Sequence, residues 1–208
     1  MKSLLKFFVK MRLVSPLRSA FLSLSRASVS TAGWENRILL VNLEALGDII
    51  VFTSVLKLYK KSFPDKKIYL LIKSAIGIEK FFSGFADEII TVNYKKFAVN
   101  PLYGSRFINR LRAIGFITVI NHDFSAAEIM GKIIATELGA KHVIGYEGLD
   151  VEWRNPFDFQ QKRNLAIVKN KLFPKFTELI PSIDKNVIPR ERLMSAIRHY
   201  VAIYEGVA

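Results

Sequence analysis

The sequence predicts an α/β protein built on a doubly wound parallel sheet. Three observations carry that expectation. Short, unbroken apolar runs recur along the chain, each run ends in a turn, and stretches with helical spacing separate one run from the next. Runs such as Ile-Leu-Leu-Val at 38–41 and Ile-Tyr-Leu-Leu-Ile at 68–72 suit strands covered on both faces. Strands alternating with amphipathic helices imply right-handed βαβ crossovers.

Strand one takes residues 37–43. Helix one takes 48–63, with Ile49, Ile50, Phe52, Thr53, Leu56 and Tyr59 or Lys60 spaced for one buried face and Pro64-Asp65 as its stop. Strand two is 67–72, followed by a short helix over 75–82 that Gly84 closes. Strand three is 88–92, and the pattern over 101–114 is helical up to Gly115. Strand four is 116–120, the next helix is 126–138 with Gly139 behind it, and strand five is 142–144, ending at Gly145. Residues 150–163 break the rhythm, and Trp153, Arg154, Asn155, Pro156 and Phe157 suggest an exposed loop. Residues 164–208 offer one or two helices separated by Pro174, Pro181 and Pro189, the last over 190–204, and no further strand.

The chain has 208 residues, enough for one well-buried core, and half of them are hydrophobic. It has no cysteine, which excludes disulfides, thiolate metal sites and cysteine nucleophiles. Lys plus Arg number 31 against 18 acids, a formal net charge of +13. That excess favours polyanionic partners: nucleic acid, anionic lipid head groups or phosphorylated glycans. No apolar stretch reaches the roughly 20 residues of a membrane-spanning helix. Residues 1–34 stand apart as a basic extension. Lys2, Lys6, Lys10, Arg12, Arg18 and Arg26 interleave with Leu4, Leu5, Phe7, Phe8 and Met11, and there is no acid before Gly33. This pattern fits an amphipathic helix on an anionic membrane surface; it equally fits a disordered extension, a misplaced start codon or an organelle-targeting peptide. Residues 35–208 form the folded domain.

The candidate site lies where strand one meets helix one. Gly47 lets a ligand approach the backbone closely, and Asp48 sits at the mouth of the strand and the helix, at the kind of sheet edge where α/β proteins bind ligands. By residue type alone Asp48 is a helix N-cap. Lys73, after strand two, is either a phosphate or carboxylate ligand or a solvated lysine. Asn121, His122 and Asp123 follow strand four at the same edge, where they could hydrogen-bond a polar ligand. His122, His142 and His199 lack metal-ligand spacing. There is no Gly-x-Gly-x-x-Gly after strand one and no Walker loop, so a nucleotide site within this chain is poorly supported. The Phe81-Phe82 pair reads as core packing. No RNA-binding or helix-turn-helix signature accompanies the charge, and no nucleic-acid partner is expected.

Ile38-Leu-Leu-Val-Asn-Leu-Glu-Ala-Leu-Gly-Asp-Ile-Ile, followed by Ser62-Phe-Pro-Asp, resembles the opening of the lipopolysaccharide heptosyltransferase family, glycosyltransferase family 9. Leu138-Gly-Ala-Lys-His-Val-Ile-Gly-Tyr is similar to the family's segment around its fifth strand, and His199-Tyr-Val-Ala-Ile-Tyr-Glu-Gly-Val-Ala to the helix that ends its N-terminal domain. The chain departs from the family pattern at Asn42 and Glu44. The resemblance implies a Rossmann-like acceptor domain, the N-terminal half of a GT-B glycosyltransferase, with the C-terminal donor domain absent. It implies inverting transfer of a heptose-like sugar to lipopolysaccharide core or a related glycan at the cytoplasmic face of the bacterial inner membrane. Asp48 would then be the general base that takes the acceptor hydroxyl proton. Leu46, Gly47, Lys73, Asn121, His122 and Asp123 would bind the acceptor. The resemblance implies no metal and no cofactor, with an ADP-heptose-like donor held by a separate C-terminal donor domain. The competing expectation is a truncated, catalytically inactive module that binds membrane or glycolipid; a basic nucleic-acid binder ranks third.

Overall fold

A computed structural model describes residues 33–44, 46–74, 82–123, 129–146 and 173–180. Six parallel strands form one sheet: β1 (Arg37–Val41), β2 (Lys67–Lys73), β3 (Glu88–Val92), β4 (Thr118–Asn121), β5 (His142–Tyr146) and β6 (Glu178–Ile180). Their order is β3-β2-β1-β4-β5-β6. The chain winds outward one way from β1, returns to place β4 on the other side of β1, and continues outward. The expected doubly wound α/β sheet is therefore present, and its topological switch point lies between β1 and β4. Ligands of open α/β sheets bind outside the strand C-termini at that point.

Alternate residues of each strand face opposite cores. Leu39 and Val41 of β1, Tyr69 and Leu71 of β2, and Val119 of β4 pack on one side, beneath α3 (Pro101–Ile114) and α4 (Ile129–Glu137). Ile38 and Leu40, with Ile68, Leu70 and Ile72, and Ile120, pack on the other side, beneath α1 (Leu46–Ser62). The stripe of α1 that meets them is Ile49, Phe52, Leu56 and Tyr59, with Phe63 just beyond the helix. Burying an aliphatic or aromatic side chain of this kind contributes about 1.5–3 kcal/mol. Ile50 departs from the expected face and is 49% exposed, one position off the stripe.

Three further boundaries differ from expectation. The segment after β3 holds two helices rather than one, α2 (Tyr94–Val99) preceding α3. Asn93 Oδ1 accepts from the Lys96 N–H, and Asn100 Oδ1 from the Tyr103 N–H, both at 2.9 Å. Asn100 thus ends one helix and caps the next, and Pro101 occupies the first position, where no N–H is needed. Strand β5 continues through Gly145 to Tyr146. Gly145 is not a terminator: a Cβ there would stand 2.4 Å from the Phe176 ring, so the glycine makes room for the residue that leads into β6. The sixth strand corrects the expectation that no strand follows β5. It is three residues long, too short for alternation to reveal it, and it pairs Glu178, Leu179 and Ile180 with Ile144, Gly145 and Tyr146.

Gly115 closes α3 at φ +74°, and its missing side chain leaves space for Trp34. At the far end of α1, Lys60 Nζ lies 2.5 Å from the Asp87 carboxylate, which also accepts the Ile68 N–H at 2.7 Å. Burial acts to raise the Asp87 pKa, but these hydrogen bonds prevail and hold it below the ordinary carboxylate range. The basic extension (all but Gly33 and Trp34), the short helix expected over 75–82 (all but Phe82), the loop at 150–163 and the helix at 190–204 lie outside the described residues. No described helix is long and apolar enough to cross a membrane.

Candidate functional site at the strand switch point

The helices that follow β1 and β4 lie on opposite faces of the sheet, and side chains fasten both strand ends at the switch point. The ladder runs slightly past the strands: Asn42 N–H donates to Leu71 O at 2.9 Å and His122 N–H to Val41 O at 2.7 Å. One residue on, the Leu43 N–H finds a carboxylate instead of a carbonyl, donating to Asp123 Oδ1 at 2.7 Å. Asn42 Oδ1 accepts the Glu44 N–H at 3.2 Å and turns the chain away from the sheet. The chain then enters α1 at Leu46.

Leu46, Gly47 and Asp48 form the first turn of α1, and their side chains lie outside the described set. The helix starts two residues earlier than expected, so Asp48 is its third residue and no longer occupies the N-cap position. It remains within the first turn of the helix. Lys73 closes β2 at the same edge, with its ammonium 4.6 Å from the centre of the Tyr94 ring.

Asn121, His122 and Asp123 follow one another at this edge as expected, but all three are fully buried. The sequence reading gives them to an acceptor; in the fold the three side chains turn alternately to the two cores of the sheet. His122 points towards α1. Its Nε2 lies 2.8 Å from the Tyr59 hydroxyl, and its ring is 4.6 Å from that of Phe52. Burial pushes the His122 pKa down to about 3, so the imidazole is neutral at physiological pH. Asn121 and Asp123 point towards α4. A Cβ on Gly131 would stand 1.7 Å from Asp123 Oδ2 and 2.8 Å from Asn121 Oδ1. Lys132, also fully buried, donates from Nζ to the Asp123 carbonyl at 3.1 Å. The side-chain amide of Asn121 and Nδ1 of His122 have no hydrogen-bond partner among the described residues. Buried polar groups of this kind are usually satisfied by ordered water.

The arrangement is a rigid polar floor beneath the entrance to α1. Asp123 ties β4 to the β1–α1 connection, and Gly131 lets α4 approach until it touches that carboxylate. Asn42, Tyr59, Gly131 and Lys132 were not legible as site residues in the sequence. Gly131 carried a signal: a glycine inside an apolar helical pattern costs about 1 kcal/mol relative to alanine, which points to a close approach. Among the described residues no three of His, Asp or Glu come together as metal ligands.

No protein-family model and no curated protein sequence matches the chain. Solved structures do. The glycosyl transferase family 9 structure from Veillonella parvula DSM 2008 superposes with a TM-score of 0.58 at 17% identity, over 83% of this chain and 42% of that one. The E. coli heptosyltransferase WaaC with ADP superposes with a TM-score of 0.51 at 17% identity, over 83% of this chain and 48% of that one. The chain therefore has the fold of part of these glycosyltransferases, and it spans less than half the length of each.

Proposed function

We propose that this chain is the acceptor-side domain of a family 9 glycosyltransferase, with Asp48 as the general base of an inverting transfer. The observation that supports the reading most is the coincidence of a glycosyltransferase fold with an acid in the first turn of α1, beside the switch point of the sheet. A carboxylate in that place can take the proton of an attacking hydroxyl as its oxygen bonds to the anomeric carbon and the nucleoside diphosphate leaves. The acceptor is a lipopolysaccharide core or a related glycan, lying over Leu46 and Gly47 with Lys73 available to an acidic substituent. The donor is an ADP-heptose-like nucleotide sugar. A second domain holds it, in keeping with the half-length match to the known enzymes. The protein works at the inner face of the bacterial inner membrane. His122 and Asp123 serve this site through the backbone, by fixing the floor under the β1–α1 connection.

The test is reconstitution. The chain is combined with a family 9 donor domain, an ADP-heptose donor and a core-glycan acceptor, and the product is analysed for its anomeric configuration. The expected product has the configuration opposite to that of the donor. Retention, or acceptor glycan that binds and is never glycosylated, would contradict the proposal. The second outcome would favour a silent glycolipid-binding module.

A further inference from the structure

We infer that the α2–α3 hairpin is a docking surface for an anionic lipid bilayer. The hairpin is separate in sequence from the basic extension at residues 1–34. Between Glu88 and Asp123 the chain has no acid, and α2 and α3 carry five bases: Lys95, Lys96, Arg106, Arg110 and Arg112. Arg112 is engaged, its Nε donating to Glu137 O at 2.7 Å. The other four are exposed and form no ion pair among the described residues. By contrast, Lys60, Lys67 and Lys175 each meet an acid, while Lys57 and Lys61 on α1 are exposed singly among other residues. The hairpin therefore presents four exposed bases in a stretch of the chain that holds no acid.

Its exposed face has the form a bilayer surface requires. Along α3 the exposed positions are Leu102, Arg106, Arg110 and Ala113, spaced as one stripe down a helix about 21 Å long. Leu102 is 45% exposed at the start of that stripe. Arginines beside an exposed leucine can lay their stems on the acyl boundary while their guanidinium groups meet phosphates. The hairpin is also rigid. Phe97 and Phe107 pack edge to face at 6.1 Å, and Tyr103 Oη accepts the Asn93 N–H at 3.1 Å. It springs from the C-terminal end of β3, so α2 begins at the same sheet edge as the candidate site, where Lys73 reaches over the Tyr94 ring. A bilayer held there would bring a lipid-borne acceptor to that edge. This last point rests on the proposed glycosyl transfer; the contact with lipid does not.

The experiment is co-sedimentation of the full chain with vesicles of phosphatidylcholine alone or with 30% phosphatidylglycerol. The variants are Arg106→Gln/Arg110→Gln and, as a charge-matched control on the exposed side of α1, Lys57→Gln/Lys61→Gln. Thermal melts check that all remain folded. A lysine or arginine at an anionic surface contributes about 1 kcal/mol, so the paired arginine change lowers affinity for anionic vesicles about 30-fold. The control pair changes it less than about threefold, and neutral vesicles bind neither form. Equal loss in both pairs would show that net charge alone is at work and would overturn the proposal. No loss in either would assign the contact to other residues and overturn it too. So would displacement from vesicles by millimolar inorganic phosphate, which would mark a phosphate site instead of a bilayer surface. Because binding is read without catalysis, a failed transfer assay leaves this result standing, and the reverse also holds.

Discussion

Asp48→Asn is expected to abolish transfer in the reconstituted enzyme. Removing a positioned general base costs about 10²–10⁴-fold in rate, and the loss should appear in kcat with little change in KM for the acceptor. The fold should survive. Asp48 is the third residue of α1, where its contribution to helix stability is the interaction of one charge with the helix dipole, about 0.3–1 kcal/mol. In a domain of this size that shifts Tm by no more than about 4 °C. The combination separates chemistry from structure. Normal turnover with a lowered Tm would make Asp48 a helix-stabilising residue and nothing more.

Gly131→Ala should be among the most destabilising single-carbon additions in the described structure. Its Cβ would be driven to 1.7 Å from Asp123 Oδ2, and that carboxylate has little room to retreat. Its other oxygen is held by the Leu43 N–H at 2.7 Å, and the side chain has no exposed surface. Relieving the clash means moving α4 away from β4 or breaking a buried charge-assisted hydrogen bond. The expected cost is about 3 kcal/mol, or a Tm lower by about 6–12 °C. Asp123→Ala alone leaves the buried Leu43 N–H without its acceptor and costs about 1–3 kcal/mol. The two changes should not add. Once the Asp123 side chain is gone, the methyl group added at position 131 has space, so the double variant should be at least about 1 kcal/mol more stable than the sum of the singles predicts. Additive losses would mean that the carboxylate and the helix do not share one space.

The sheet was legible because its strands announce themselves as apolar runs between turns. The run at 38–41 and that at 68–72 both form β-strands with alternate residues buried in two cores. Long, regularly spaced helices were equally plain: α3 spans the expected 101–114. Other features were not legible because each depends on tertiary contact. β6 is three residues long and exists because β5 offers it an edge. The division between α2 and α3 turns on one asparagine side chain capping α3 at its start. Gly145 reads as a stop in one dimension, yet in space it admits the Phe176 ring.

The sheet edge shared by the candidate site residues was legible in the sequence, and the burial of some of them was not. Gly47, Asp48 and the 121–123 segment do meet the C-terminal edge of the sheet at its switch point. Polar residues after a strand suggest ligands for sugar hydroxyls, but Asn121, His122 and Asp123 turn inwards and support the connection above them. Composition cannot distinguish a polar group that binds a ligand from one that holds the backbone of a ligand site. The buried hydrogen bond from Leu43, eighty residues distant along the chain, makes that distinction.

Titration of the isotopically labelled chain with a core-glycan acceptor, followed by amide chemical shifts, tests the central claim most directly. The largest shifts should fall on residues 42–50, at the end of β1 and the start of α1, with smaller ones at 121–123 and at Lys73. ADP should perturb none of them. Shifts centred on the opposite edge of the sheet, where Arg37, Lys67 and Glu88 begin their strands, would contradict an acceptor site at the β1–β4 switch point.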